Sequence, residues 1–163
     1  MTDLPYRPNV GAVLFNPAGL VFVARRAPHP GRDTAAGAWQ FPQGGLDKHE
    51  DPRTAVLREL AEEIGTDRAE IIGEIPDWLT YDLPVHLIGV AWKGKYRGQT
   101  QKWFALRFWG DDADIRLDAD DHPEFDIWRW MPLAETPLLA VDFKRPIYDR
   151  VAAEFARFAT TPA

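Results

Sequence analysis

The chain has 163 residues, a formal charge of −6 and no cysteine. That length suits one domain, spanning residues 1–163, that buries a core without covalent staples. The missing cysteine excludes disulfides, thiolate metal ligands and cysteine nucleophiles, leaving oxygen ligands or histidine for any metal. No apolar run approaches the roughly 20 residues of a membrane span. The opening MTDLPYRPNV lacks a basic stretch followed by an apolar one, so the expectation is a cytoplasmic protein with no membrane contact.

The net negative charge argues against a general nucleic-acid coat, since non-specific binding is phosphate neutralisation by Lys and Arg, and no DNA partner is expected. The charge is nevertheless uneven. Residues 111–126, DDADIRLDADDHPEFD, hold eight acids against one base, whereas residues 93–107, KGKYRGQTQKWFALR, hold five bases and no acid. Such polarity can set a polyanion against one side of a fold while acids elsewhere hold cations; two solvated loops are the alternative.

In chain order, VGAVLF (10–15) and LVFVA (20–24) read as strands joined by the turn Asn16-Pro17-Ala18-Gly19. The segment 27–38 is a Pro/Gly-rich loop, and Trp39-Gln40-Phe41 is a brief strand stopped by Pro42. A helix follows between a cap at Asp51, with Pro52 in its first turn, and a stop at Gly65. Residues 69–75 have strand character, 77–84 (DWLTYDLP) read as an aromatic connection, and 102–109 and 127–131 read as further strands. From Lys144 onward, Ile147, Val151, Phe155 and Phe158 recur at intervals of four, four and three, one apolar face of a closing helix. Strands interleaved with two helices give an α/β fold with a mixed sheet.

The helix at 51–65 carries an unusual load. At 100° per residue, Leu57, Leu60, Ala61 and Ile64 share one side, while Glu59, Glu62 and Glu63 fall within about 100° of one another opposite. Like charges four apart cost roughly 0.2–0.5 kcal/mol, a cost that a bound cation would reverse. Arg58 lies four residues before Glu62, in reach to orient it. Gly44-Gly45 just ahead allows a backbone to press toward a metal or phosphate. Clustered carboxylates without nearby Cys or His point to Mg²⁺ or Mn²⁺ and to metal-assisted hydrolysis of a phosphoanhydride. A solvated acidic face is the plain alternative.

The spacing Gly44, Glu50, Arg58-Glu59-Leu60, Glu62-Glu63, Gly65 resembles the Nudix box, with Thr66 standing where that family prefers an aliphatic residue. Tyr6-Arg7-Pro8-Asn9-Val10-Gly11, Trp39 to Gly45, Gln101-Lys102-Trp103-Phe104, Pro123-Glu124-Phe125, Trp128-Arg129-Trp130 and Asp142-Phe143-Lys144-Arg145 extend the likeness to the RNA pyrophosphohydrolases and dinucleoside polyphosphate hydrolases. The loop from Pro28 to Ala38 is longer than in the best-known RNA-acting members.

The resemblance implies a Nudix fold, an α/β/α sandwich around a central mixed β-sheet. It further implies that Glu59, Glu62, Glu63 and Glu124 bind Mg²⁺ or Mn²⁺, with two or more ions in the substrate complex, and that Glu124 or Glu59 is the general base. Arg7 and Arg26 would grip phosphates and Phe143 and Lys144 the terminal nucleotide, with Gly44 and Gly45 beside them. The implied reaction removes pyrophosphate from the 5′-triphosphate end of RNA, promoting mRNA decay. Hydrolysis of diadenosine tetraphosphate is the nearest alternative, and a non-catalytic nucleotide-binding module a third. A monomer is expected. The remaining acids of 111–126 read as solvated, Gln99 and Gln101 as strand-surface residues, and Phe143 has a core role as its alternative; no histidine site is expected among His29, His49, His86 and His122.

Overall fold

The computed structural model of the protein describes residues 3–27, 38–118 and 123–159. Residues 28–37 of the predicted loop 27–38, with His29, and part of the acidic segment, with His122, lie outside the described residues. Among the described residues eight strands form the sheet: β1 (Tyr6–Phe15), β2 (Val21–Arg26), β3 (Trp39–Gln40), β4 (Gln43–Gly45), β5 (Ala69–Glu74), β6 (Leu79–Asp82), β7 (Gly98–Phe108) and β8 (Phe125–Met131). The helices are α1 (Pro52–Ile64) and α2 (Arg145–Phe155).

The sheet runs β3-β2-β1-β7-β5, with β4 on β1, β6 on β7 and β8 on β2. β1 and β7 pair in parallel along the whole of β1, while β2, β4, β5, β6 and β8 join antiparallel. The expected mixed sheet is therefore present.

Alternation along the central strands divides the core in two. Val10, Ala12 and Leu14 of β1, with Phe104 and Leu106 of β7, pack beneath Val56, Leu60 and Ile64 of α1. Val13 and Phe15, with Trp103 and Ala105, face the other way, onto Ile147, Val151 and Phe155 of α2. A strand buried on both faces reads as a continuous apolar run, which is why VGAVLF carries no polar alternation. The result is a helix on each side of one sheet.

The predicted punctuation holds. Asn16 Oδ1 accepts from the backbone N–H groups of Ala18 and Leu20 at 3.0 and 2.9 Å, closing the β1–β2 turn. Asp51 accepts from Arg53 N and Thr54 N at 3.1 and 3.2 Å, and Gly65, at φ 74°, ends α1. Thr66 is buried, and its hydroxyl accepts from Arg68 N at 3.1 Å, so the departure from an aliphatic residue closes a turn.

Four expectations need correction. The segment 77–84 is more than a connection: Leu79 and Tyr81 point inward and Thr80 and Asp82 outward, a two-residue period that makes β6. β7 begins at Gly98 rather than Lys102, and Gln99 and Gln101 are buried instead of lying on a strand surface. α1 buries Ala55, Val56, Leu60, Glu63 and Ile64 and leaves Ala61 exposed, so its packed face is rotated toward Glu63. Finally, α2 ends at Phe155, and Phe158 reaches the core from a 3₁₀ turn.

Candidate active site

β4 lies along β1 with Gly44 opposite Val10 and Gly45 opposite Asn9. A Cβ on Gly44 would overlap the Glu59 carboxyl group, and one on Gly45 would overlap the Arg7 guanidinium. The glycine pair is thus needed sterically: an anion from α1 and a cation from β1 both reach this short stretch of backbone.

Arg58 is the hub of the ionic contacts on α1. Its Nε and Nη2 each donate at 2.8 Å to the two oxygens of Glu50, the two-pronged pairing that fixes a guanidinium best. Nη1 donates to Glu59 at 2.9 Å and lies 3.3 Å from both oxygens of Glu62, as the four-residue spacing implied. Nη2 also donates to Gly45 O at 3.1 Å, tying the helix to β4. These bonds from Arg58, with one from Asp47 N, hold the Glu50 carboxyl at about 2.

Glu63 contrasts with Glu50. It is buried, and its Oε2 has no hydrogen-bond partner. Burial first, then the charges of Glu59 and Glu124, push its carboxyl well above the usual carboxylate range, with Arg26 opposing. Glu59 is raised too, mainly by burial, although Arg58 draws it back. Among the described residues no three acidic side chains form a ready-made cage for a metal. The orphaned oxygen of Glu63 and the mutual charge of Glu59, Glu63 and Glu124 nevertheless suit a hard cation, which would satisfy the oxygen and cancel the repulsion.

Glu124 arrives from the far end of the sheet. Ala27 N donates to Glu124 O at 2.8 Å, and a register shift between Arg25 and Arg26 bends β2 against β8 there. Arg26 closes this corner and acts electrostatically on both Glu63 and Lys144.

On the α2 side, Phe143 and Lys144 sit in a 3₁₀ turn. Lys144 Nζ lies 5.5 Å from the centre of the Tyr81 ring, and Phe143 is 5.6 Å from the same ring. Burial, with Arg26 adding, lowers the Lys144 ammonium to about 8. Both residues line a cavity of about 350 Å³ together with Trp39, His86, Leu87 and Tyr148. Phe143 is half-buried at the wall of this cavity, so it is only partly a core residue.

Some of the acidic segment is structural. Asp126 pairs with Arg25 through two bonds of 2.9 Å, Asp112 accepts from Trp130 Nε1 at 3.0 Å, and Asp114 caps the turn at Asp111 at 2.8 Å. The expectation that its acids other than Glu124 are merely solvated is corrected to that extent.

Sequence reasoning passed over three contributors. Glu50 was visible as a matched position, but its partner Arg58 is eight residues away and outside helical spacing rules. Gln101 Nε2 donates to Gln43 at 2.8 Å, Asn9 at 3.0 Å and Gln99 at 3.2 Å, joining β7, β1 and β4 beside the glycine pair. The run of polar residues where a buried strand begins was the available signal. Trp92, whose ring carries the Arg7 guanidinium at 5.8 Å, comes from a segment without a strand or helix pattern.

A sheet between two helices, with the glycines of β4 held against an Arg-Glu helix, is the arrangement that the Nudix resemblance implied. The sequence profile described as NUDIX domain matches residues 5–151, and the chain belongs to the Nudix hydrolase family. It is 60% identical over 159 residues to a Gluconacetobacter diazotrophicus protein called RNA pyrophosphohydrolase, covering 96% of this chain and 95% of that one. A protein of the same description from Acidiphilium cryptum is 61% identical over 160 residues, covering 98% and 96%. Among solved structures, a C. elegans Ap4A hydrolase binary complex superposes with a TM-score of 0.63 at 19% identity, covering 93% of this chain and 98% of that one. At that identity the likeness is one of fold.

Proposed function

We propose that the protein hydrolyses a phosphoanhydride bond at the 5′-triphosphate end of RNA and releases pyrophosphate, a step that promotes mRNA decay. The observation that carries this reading is the near full-length identity of 60–61% to proteins called RNA pyrophosphohydrolase. End recognition suits the acidic average, because only a few phosphates need be gripped.

Glu59, Glu62, Glu63 and Glu124 would hold Mg²⁺ or Mn²⁺, two or more ions with substrate bound. Such ions polarise phosphoryl oxygens and lower the pKa of an attacking water. Arg58 orients Glu59 and Glu62, and Glu50 keeps Arg58 in place. Arg7 and Arg26 neutralise phosphate oxygens, and the bare backbone at Gly45 and Gly44 leaves room for Arg7 and Glu59. Phe143 stacks on the terminal nucleotide while Lys144 contributes charge. Glu59 or Glu124 takes the proton from water. The chain acts as one cytoplasmic domain and as a monomer; among the described residues no helix is long and apolar enough to cross a membrane.

Comparison of initial rates on 5′-triphosphorylated RNA and on diadenosine tetraphosphate, with Mg²⁺ and with Mn²⁺, tests the substrate. Faster pyrophosphate release from RNA at equal concentration is expected. Turnover confined to the dinucleotide would replace this reading with the alternative, and binding without turnover of either would make the protein a nucleotide-binding module.

A further inference from the structure

The segment 83–97, between β6 and β7, holds charge that the site leaves unused. Its two ends are pinned: Leu83 N donates to Arg97 O at 2.8 Å, and Arg97 N to Pro5 O at 3.0 Å. Within it Gly89 and Gly94 adopt φ of 94° and 73°, and a Cβ on Gly94 would lie 3.2 Å from Gly89 Cα, so the loop closes tightly on itself. Trp92 and Lys93 are also left-handed, at φ 50° and 58°. Side-chain-bearing residues rarely adopt that region, and two in succession imply that the direction of these side chains is being enforced.

Enforcement puts Trp92 under Arg7, with its ring edge-on to Tyr96 at 6.2 Å. Lys93 and Lys95 are exposed. Among the described residues neither has an ion pair or side-chain hydrogen bond. Arg97, by contrast, is bound to Asp82 at 2.8 Å and lies over Tyr6 at 4.9 Å, so it serves the anchor.

The loop touches both parts of the site. Pro84, His86 and Leu87, at its start, form a wall of the cavity that contains Phe143 and Lys144. At its tip, Trp92 meets Arg7, whose guanidinium rests on Gly45. From this wall the loop runs on to the two exposed lysines.

We infer that residues 92–96 form a second contact for the RNA strand, with Lys93 and Lys95 on backbone phosphates 3′ of the hydrolysed end. The neighbouring Trp92 and Tyr96 give a stacking surface for a base. Two lysines flanked by an aromatic residue on each side, Trp92-Lys93-Gly94-Lys95-Tyr96, offer a single strand both charge for its phosphates and rings for its bases. A small dinucleotide would end inside the cavity and gain nothing from residues 92–96. The inference rests on the RNA reading proposed above.

The test uses 5′-triphosphorylated RNAs of two nucleotides and of about twelve, and compares KM. For the wild type, the longer RNA has a KM about tenfold lower, and its affinity falls more steeply with salt by about 0.7 per added phosphate in the logarithmic slope. The double variant Lys93→Ala, Lys95→Ala brings the ratio of the two KM values close to one and removes the extra slope; Lys93→Arg, Lys95→Arg retains both. A length ratio unchanged in the alanine variant, or absent from the wild type, overturns the loop contact. No pyrophosphate release from either RNA overturns the RNA reading itself, and the loop contact with it.

Discussion

On the α1 side of the sheet, one guanidinium gathers the carboxylates: Arg58 bonds Glu50 and Glu59 and lies against Glu62. On the α2 side the polar content is sparse, and a cavity walled by Trp39, Leu87, Phe143 and Tyr148 contains a single lysine, Lys144. The difference separates two tasks. Fixed, densely paired charge suits positioning of cations and phosphate, whereas a mostly apolar cavity with Lys144 and Asp142 as its charged lining suits holding a nucleoside. Glu63 and Arg26 stand at the junction, since Arg26 influences Glu63 on one side and Lys144 on the other.

If the α1 side carries the chemistry, its buried member is the most sensitive position. Glu63→Gln should lower kcat for pyrophosphate release by roughly 10²–10⁴-fold while leaving KM within a few-fold. A variant with full kcat would dissolve the distinction between the two sides.

A smaller effect is expected at the hub, where structure and activity are coupled. Arg58→Ala leaves Glu50, Glu59 and Glu62 without their shared cation and should cost about 1–3 kcal/mol in urea denaturation. Arg58→Lys should recover only part of it, because a point charge cannot engage both oxygens of Glu50 as the guanidinium does. Unchanged stability in Arg58→Ala would mean that solvent already screens these pairs.

The mildest prediction concerns the cavity. Lys144, at about 8, is charged below that pH and loses its proton above it, so its attraction for a phosphate fades as pH rises through 8. KM should increase severalfold between pH 7 and 9 with little change in kcat. In Lys144→Arg, which stays charged, the rise should be absent; a rise that persists would assign it to another group.

The α1 side was far more legible in the sequence than the α2 side, for a physical reason. Gly44, Arg58 and the glutamates lie within one turn-and-helix segment, so cap, stop and side-chain spacing reveal them directly. Even there a helical wheel misjudged Glu63 as opposite the core, because the wheel shows relative directions and only tertiary packing chooses the buried one. The cavity is assembled from residues 38–40, 84–87 and 139–148, remote in sequence and irregular in backbone, and periodicity carries no signal for such segments. β6 was missed because four residues give too short a run for alternation to stand out. The buried Gln99 and Gln101 were misread since Gln101 finds Asn9 and Gln43 on other strands, and Gln99 accepts in turn from Gln101.

The central claim is that the α1 carboxylates repel one another until a divalent cation joins them, and thermal melting of wild type and Glu63→Gln with and without Mg²⁺ or Mn²⁺ tests it most directly. The Glu63 carboxyl is raised in the folded protein above its ordinary value of 4.5, so the folded state holds its proton more tightly than the unfolded chain. Stability therefore declines as pH climbs above 4.5 without metal, and the glutamine variant escapes that decline. At neutral pH the account predicts that the variant melts higher than wild type in chelator, and that added metal raises the wild-type melting temperature while leaving the variant nearly unmoved. A variant that melts lower in chelator, and gains as much from metal as the wild type, would contradict it.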